Sequence, residues 1–288
     1  MRTLNDIKNN AGVGLRIQHI QDILRHETDG MWFEILADNW LTSDLNDYYL
    51  ALISEHYPIT IHGVGLSLGS PQALDYDYLK SIKDLMKRSN AIVYSEHICF
   101  AQLPNGHFAH DLLPLPYCEK VLQHLAQRIN QVQDYLGQQI LLENVSGYLS
   151  YKDNEMNEAE FLGQLVQKSG CGLLLDINNL FVNQVNLGSS AEQTIRHMQP
   201  DWVQEIHLAG FETHPDFLID AHNNPVCEQV WALYELSIAH LGNKATLIEW
   251  DNDIPSWNTL LEERNKAQDI LQKMDYQLPE LIKASVVC

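Results

Sequence analysis

The chain alternates short apolar runs with longer amphipathic stretches along nearly its whole length, and this alternation limits the available folds more than any other feature. Apolar runs at 12–15, 31–36, 59–62, 91–95, 140–143, 172–176, 202–207 and 245–250 read as strands. Helical periodicity falls between them, at 18–26, 44–56, 76–88, 116–136, 158–168, 191–198 and 226–241, with a further helix expected over 256–274. Strand followed by helix about eight times predicts an α/β fold closed as a (β/α)8 TIM-type barrel. A doubly wound sheet would use the same elements, but the eightfold count favours closure. We expect a single barrel domain over 1–276 and a C-terminal tail over 277–288. The segments 100–116 and 209–225 read as long loops that follow strands, which puts both at the C-terminal face of a barrel.

Composition narrows the partners. Lys and Arg number 18 against 38 Asp and Glu, a formal net charge of −20. So acidic a surface repels phosphate backbones, so neither nucleic acid nor an anionic membrane is expected as a partner. No apolar run approaches a membrane span, and the first residues, MRTLNDIKNN, lack a signal-peptide core. A soluble, cytoplasmic protein is expected. The five cysteines are scattered and form no CxxC, which suggests neither a disulfide framework nor a thiolate metal site.

The strands end in an unusual way. ITIH ends at His62, AIVYSEH at Glu96 and His97, ILLEN at Glu143 and Asn144, LLLDIN at Asp176, VQEIHLAG at His207 and TLIEWD at Glu249. In a barrel these ends ring one mouth. A lone strand-end His is usually a hydrogen-bonded structural residue, and a lone Asp often caps the next helix. A ring of imidazoles and carboxylates is different, because buried charges need shared protons or a cation. The loop motif LIDAHNNPV adds Asp220 and His222, whose i, i+2 spacing can aim both side chains at one ion. The expected metal ligands are therefore His62, His97, Glu143, Asp176, His207, Asp220, His222 and Glu249. Glu143, central in strand order, is the best bridge between ions, and Glu143 and Asp176 are taken as catalytic. Nitrogen and oxygen donors without thiolate suit iron, manganese, zinc or cobalt, and so many ligands imply at least two ions. Arg16, Glu34 and Asn39 are candidates for orienting ligands or substrate, and Tyr94, Asn144 and Trp250 flank the ligands. His107 and His110 form a weak HxxH pair, Cys99 reads as a buried thiol, and His19, His26, His56, His124 and His240 read as helix-surface residues.

The motifs ITIHGVGLSLGS, SEHICF, DLLPLPY, LLENVSGYLSY, LLLDINNLFVN, EIHLAG, LIDAHNNPV and LIEWD, taken together, resemble the multinuclear non-haem iron-dependent oxidative enzymes, long catalogued as a domain of unknown function. The resemblance covers roughly residues 12–257. It implies a barrel that holds two or three iron ions of mixed valence and uses molecular oxygen as co-substrate. It also implies that His62, His97, Asp220 and His222 hold one iron, and that Asp176, His207 and Glu249 hold a second, with Glu143 bridging. A third iron would draw on Asn178 or Asn179, while Phe181 offers no ligand. The implied substrate is a cysteine-containing, ribosomally made precursor peptide of natural-product biosynthesis, whose cysteine loses hydrogen from its β-carbon. A separate partner protein would recognise the peptide leader.

Two other classes fit the same residues. One is a redox-neutral hydrolase or isomerase of the xylose-isomerase-like barrel type, with two or three ions. The other is a non-catalytic metal-binding scaffold.

Overall fold

The computed structural model describes residues 2–41, 44–102 and 108–285. Eight parallel strands close into a barrel in sequential order. They are β1 (Ala11–Gly14), β2 (Phe33–Leu36), β3 (Ile59–Gly63), β4 (Tyr94–His97), β5 (Leu141–Glu143), β6 (Gly172–Asp176), β7 (Val203–Leu208) and β8 (Ala245–Ile248). Helices on the outside bury one continuous apolar layer against them, in which Ile61, Leu142, Leu175 and Ile206 face helix residues such as Leu79, Leu125, Leu165 and Ile238. The (β/α)8 expectation therefore holds.

The barrel interior is graded. Val93, Leu141 and Leu174 pack together at one level, and Ile7, Trp32, Ala245 and Leu247 form a neighbouring cluster. The short helix Leu4–Ile7 brings Leu4 against both clusters. Two residues further along β4, β5 and β6, the same inward face carries Ser95, Glu143 and Asp176. The interior thus passes from hydrocarbon to charge within one step of the strand repeat.

Several elements differ from the sequence reading. The apolar pattern puts the fourth strand at 91–95, but the ladder lies at Tyr94–His97, because its C-terminal half is polar and still pairs with its neighbours: His62 is opposite Ser95, and His97 is opposite Glu143. The expected loop 100–116 contains an antiparallel hairpin, Phe100–Gln102 with Phe108–Leu113, and the expected loop 209–225 contains another, Glu212–Thr213 with Leu218–Ile219. A helix absent from the sequence reading, Ile177–Leu187, starts directly at the end of β6. The last helix spans Trp257–Ser285 and continues into the segment expected as a tail. No helix among the described residues is long and apolar enough to cross a membrane.

Candidate metal centre

Strand register brings the polar strand ends together. His97 pairs with Glu143 across β4 and β5, and Asp176 pairs with His207 across β6 and β7. His62, His97, Glu143, Asp176, His207, His222 and Glu249 are all buried, most of them completely. Their donor atoms fall into overlapping groups compact enough for one ion each: His62, His97 and Glu143; Glu143, Asp176 and His207; Asp176, His222 and Glu249; and Glu34, His207 and Glu249. Glu143, Asp176, His207 and Glu249 each belong to two groups.

The first group shows how the chain aims its donors. The outer nitrogens of two rings are engaged: His62 Nδ1 lies 2.8 Å from Ser95 Oγ, and His97 Nδ1 lies 3.0 Å from the Gly63 carbonyl. A carbonyl can only accept, so His97 carries its proton on Nδ1 and its Nε2 faces inward. The two Nε2 atoms stand 3.2 Å apart, and Glu143 Oε2 is 3.1 Å from one and 3.3 Å from the other. That oxygen nevertheless has no hydrogen bond. Three donors that converge at such distances, with the carboxylate oxygen left without a hydrogen bond, are arranged as around a cation. Burial by itself would lower the His97 pKa, but Glu143 and Glu96 outweigh it and hold it at about 9. Burial would raise Glu143, but His97 and His62 outweigh it and hold it at about 2.

The second half of the cluster is built on Asp176. Its Oδ1 accepts from the Asn179 backbone N–H at 2.6 Å and so caps the helix Ile177–Leu187. Its Oδ2 is buried without a partner. One carboxylate is therefore placed for both roles weighed for it in the sequence: one oxygen caps the helix and the other is free to ligate. Burial first, then Glu143 and Asp220, push its pKa well above the ordinary carboxylate range. His207 sits between Glu249, 2.9 Å from Nδ1, and Glu34, 3.2 Å from Nε2. His222 reaches Asp220 through Nε2 at 2.7 Å and Asp251 through Nδ1 at 3.1 Å. Burial would lower both histidines, but the carboxylates around them hold their pKa values well above normal. Glu249 is held well below normal, because His222 and His207 outweigh its burial.

All eight expected ligands thus gather at one mouth, but their grouping differs from the one the resemblance implies. His222 falls with Asp176 and Glu249, not with His62 and His97. Asp220 stands beside His222 and is held by Asn178 Nδ2 at 2.6 Å and Ser146 Oγ at 3.2 Å. Asn179 Nδ2 donates to Glu143 Oε1 at 3.2 Å, and the side-chain oxygens of Asn178 and Asn179 are buried without partners.

Residues around the ligands sort by what they touch. Arg16 grips the Trp250 carbonyl and pairs with Asp251 at 2.6 Å, so it acts on His222 through Asp251. Asn144 holds the Asp176 backbone. Glu96 stands apart from the donor groups and accepts from Tyr94 Oη, the Leu66 N–H and the His97 N–H. The Trp250 indole donates to Glu263. Asn39 is exposed, and its carbonyl accepts from Asn46. Cys99 is buried with its thiol pKa pushed well up, first by burial and then by Glu96. His107 and the side chain of His110 lie outside what the structure describes. His19, a surface residue in the sequence reading, is buried and bonded to the Pro255 carbonyl at 2.9 Å.

Glu205 escapes the sequence reading. It is fully buried, neither carboxylate oxygen has a hydrogen bond, and Oε1 lies 4.0 Å from His207 Nε2. Burial, then Glu34, pushes its pKa well up. A signal is present: Glu205 is two residues before His207, on the same inward face of β7. Glu34, flagged only as a possible orienting group, accepts from Thr60 Oγ1 at 3.1 Å and joins a donor group.

Known proteins agree with this picture at two levels. Solved structures share the fold: an endonuclease IV from Thermus thermophilus superposes with a TM-score of 0.58 at 12% identity, over 92% of this chain and 99% of that one. A D-tagatose 3-epimerase-like protein superposes with a TM-score of 0.57 at 15% identity, over 95% and 99%. Sequence relatives are much nearer. A UPF0276 protein of Acaryochloris marina is 45% identical over 261 residues, which is 91% of this chain and 94% of the relative. A UPF0276 protein of Chromobacterium violaceum is 41% identical over 265 residues, 92% and 96% of the two chains. Residues 10–272 match the family model described as RiPP precursor modification enzyme MbnB/TglH/ChrH, where a RiPP is a ribosomally made, modified peptide. With that match over nearly the whole barrel, the chain belongs to the MbnB/TglH/ChrH family of RiPP precursor modification enzymes.

Proposed function

We propose that this protein is a multinuclear iron, oxygen-dependent oxidase that modifies cysteine residues of a ribosomally made precursor peptide. The observation that carries the reading is Glu143: it shares one donor group with His62 and His97 and another with Asp176 and His207, as a carboxylate bridging two ions would. The buried atoms Glu143 Oε2, Asp176 Oδ2, His207 Nε2 and His222 Nε2, none of which has a hydrogen bond, fit a resident metal, and the donor set without thiolate suits iron. When bound, such ions supply Lewis acidity toward a thiol and one-electron chemistry with molecular oxygen, which side chains lack.

The chain's own residues do the rest. Ser95 and the Gly63 carbonyl hold the rings of His62 and His97, and Asp251 holds that of His222. Asn144 and Asn179 hold Asp176 and Glu143 in place. Burial of Cys99 keeps its thiol protonated and out of competition with a substrate thiol. Cys99, Cys118, Cys171 and Cys227 are all free thiols, which suits a reducing, cytoplasmic setting. A separate leader-recognition protein completes the reading.

The test is elemental mass spectrometry and Mössbauer spectroscopy on protein made with iron and purified without oxygen, then oxygen uptake with a cysteine precursor peptide. Two or three irons per chain, coupled mixed-valence signals and a mass change at cysteine are expected. Stoichiometric zinc or manganese, with activity that needs no oxygen, would move the protein to the hydrolase or isomerase class.

A further inference from the structure

Beside the ligands, the barrel mouth carries a second preformed feature that they do not use. A cavity of about 410 Å3 is lined by Tyr148, Asn186, Asp216, Phe217 and Ile219. Tyr148 is 49% exposed and Phe217 40%, large apolar surfaces to leave in water. Their rings meet edge to face at 5.9 Å, and His214 stacks on Phe217 at 5.1 Å. The wall is braced: Asn186 donates to the Leu218 carbonyl at 3.0 Å and accepts from the Leu218 N–H at 2.8 Å. A braced aromatic wall loses little freedom when a side chain lands on it.

The cavity adjoins the metal mouth along the chain. Ile219 directly precedes Asp220, and Asp220 is bonded to Ser146, two residues before Tyr148. The charge is one-sided: among the described residues Asp216 is the single charged group that lines the cavity, with no lysine or arginine, and Asp111 acts on Tyr148 from nearby. An apolar wall with an acidic rim suits a hydrophobic side chain next to a basic one.

We propose that this cavity is a substrate subsite that takes an apolar or aromatic side chain of the precursor peptide, with a neighbouring basic residue against Asp216, and so selects which residue reaches the metal ligands. The proposal rests on the peptide-modifying reading above. Its ligand chemistry can be tested without any cysteine.

The probes are acetyl-4-fluorophenylalanyl-lysine amide and its glutamate counterpart, titrated into the metal-loaded full-length protein and followed by fluorine NMR. The lysine probe is expected to bind saturably, and the glutamate probe at least fivefold more weakly. Phe217→Ala and Tyr148→Ala should each weaken the lysine probe at least fivefold with metal content unchanged. Asp216→Asn should erase the difference between the probes. Equal affinity in wild type and Phe217→Ala, or no saturable binding, overturns the subsite. A cysteine peptide separates the two readings: its oxidation with unaltered sequence preference in Phe217→Ala removes the subsite alone, while saturable probe binding without any cysteine oxidation removes the oxidase and keeps the subsite.

Discussion

Asn144 and Asp176 exchange two hydrogen bonds: the Asn144 amide donates to the Asp176 carbonyl at 3.0 Å, and the Asp176 N–H donates to the Asn144 side-chain oxygen at 2.9 Å. Asn144 follows Glu143 directly, so this clamp sets Asp176 against Glu143 at the level where β5 and β6 end. Asn144→Ala removes the clamp without touching a donor atom. It should lower metal affinity by about 10–100-fold, as loss of a ligand's orienting partner does. Metal retention during dialysis against graded chelator measures it, and unchanged retention would sink the role.

Glu143 serves two donor groups, whereas His97 serves one and Asp220 contacts only His222 among the proposed ligands. Glu143→Gln should therefore release more metal than His97→Ala or Asp220→Ala. Metal per chain, counted by elemental mass spectrometry after identical loading, gives the ranking. Equal loss in all three would mean that Glu143 does not bridge.

Asp176 separates two roles that share one side chain. Asn caps helices as well as Asp does, so Asp176→Asn keeps the helix cap and loses the charge. The metal-free variant should be more stable than metal-free wild type by about 1–2 kcal/mol, the usual gain when a functional charge is relieved. The metal-loaded comparison should reverse. Urea unfolding with and without chelator reads both, and a destabilised metal-free variant would refute the argument.

Gly210 is needed for close approach rather than flexibility. A Cβ there would collide with the Asn224 carbonyl, and Pro225 leaves the backbone no room to yield. Gly210→Ala should push out the segment that carries Asp220 and His222, costing roughly 1–3 kcal/mol by overpacking, and reduce bound metal. Thermal unfolding together with metal content checks it; full metal occupancy in the variant would count against the coupling.

Glu158 offers a pH test far from the ligands. Burial pushes its pKa up to about 7, against a hydrogen bond from Tyr117 that lowers it. The folded state then holds a proton that the unfolded chain gives up, so stability falls as pH rises from about 4.5 to 7 and the penalty persists above that. Glu158→Gln should stabilise the protein by about 3 kcal/mol at pH 8 and by almost nothing at pH 4. Urea midpoints at both pH values decide, and a pH-independent difference would reject the assignment.

The barrel and its ring of polar strand ends are legible in the sequence because both follow from period-2 alternation: an apolar run that ends in His, Asp or Glu shows where a strand stops and what it presents there. Glu205 is passed over when attention rests on the last residue of each strand, although the same alternation puts it on the ligand face. The hairpins at 100–113 and 212–219 are not legible, since their strands are short and mix polar with apolar residues. The helix after Asp176 is hidden by the absence of any connecting turn. The grouping of ligands is beyond reach as well, because it depends on strand register, which pairs His97 with Glu143 and Asp176 with His207.

The donor groups draw on β2 through β7 and on the segment just past β8, from Glu34 to Glu249. Each donor group draws on three separate segments of the chain, so no single strand–helix unit holds one complete. The groups that need Glu249 come together only when the last strand has been made and has closed against the first. Those two groups would be offered to a metal only by the finished barrel, whereas the groups completed by Glu143 and by His207 lie earlier in the chain. A metal held through Glu249 would then be acquired after synthesis, from whatever ions the finished barrel meets.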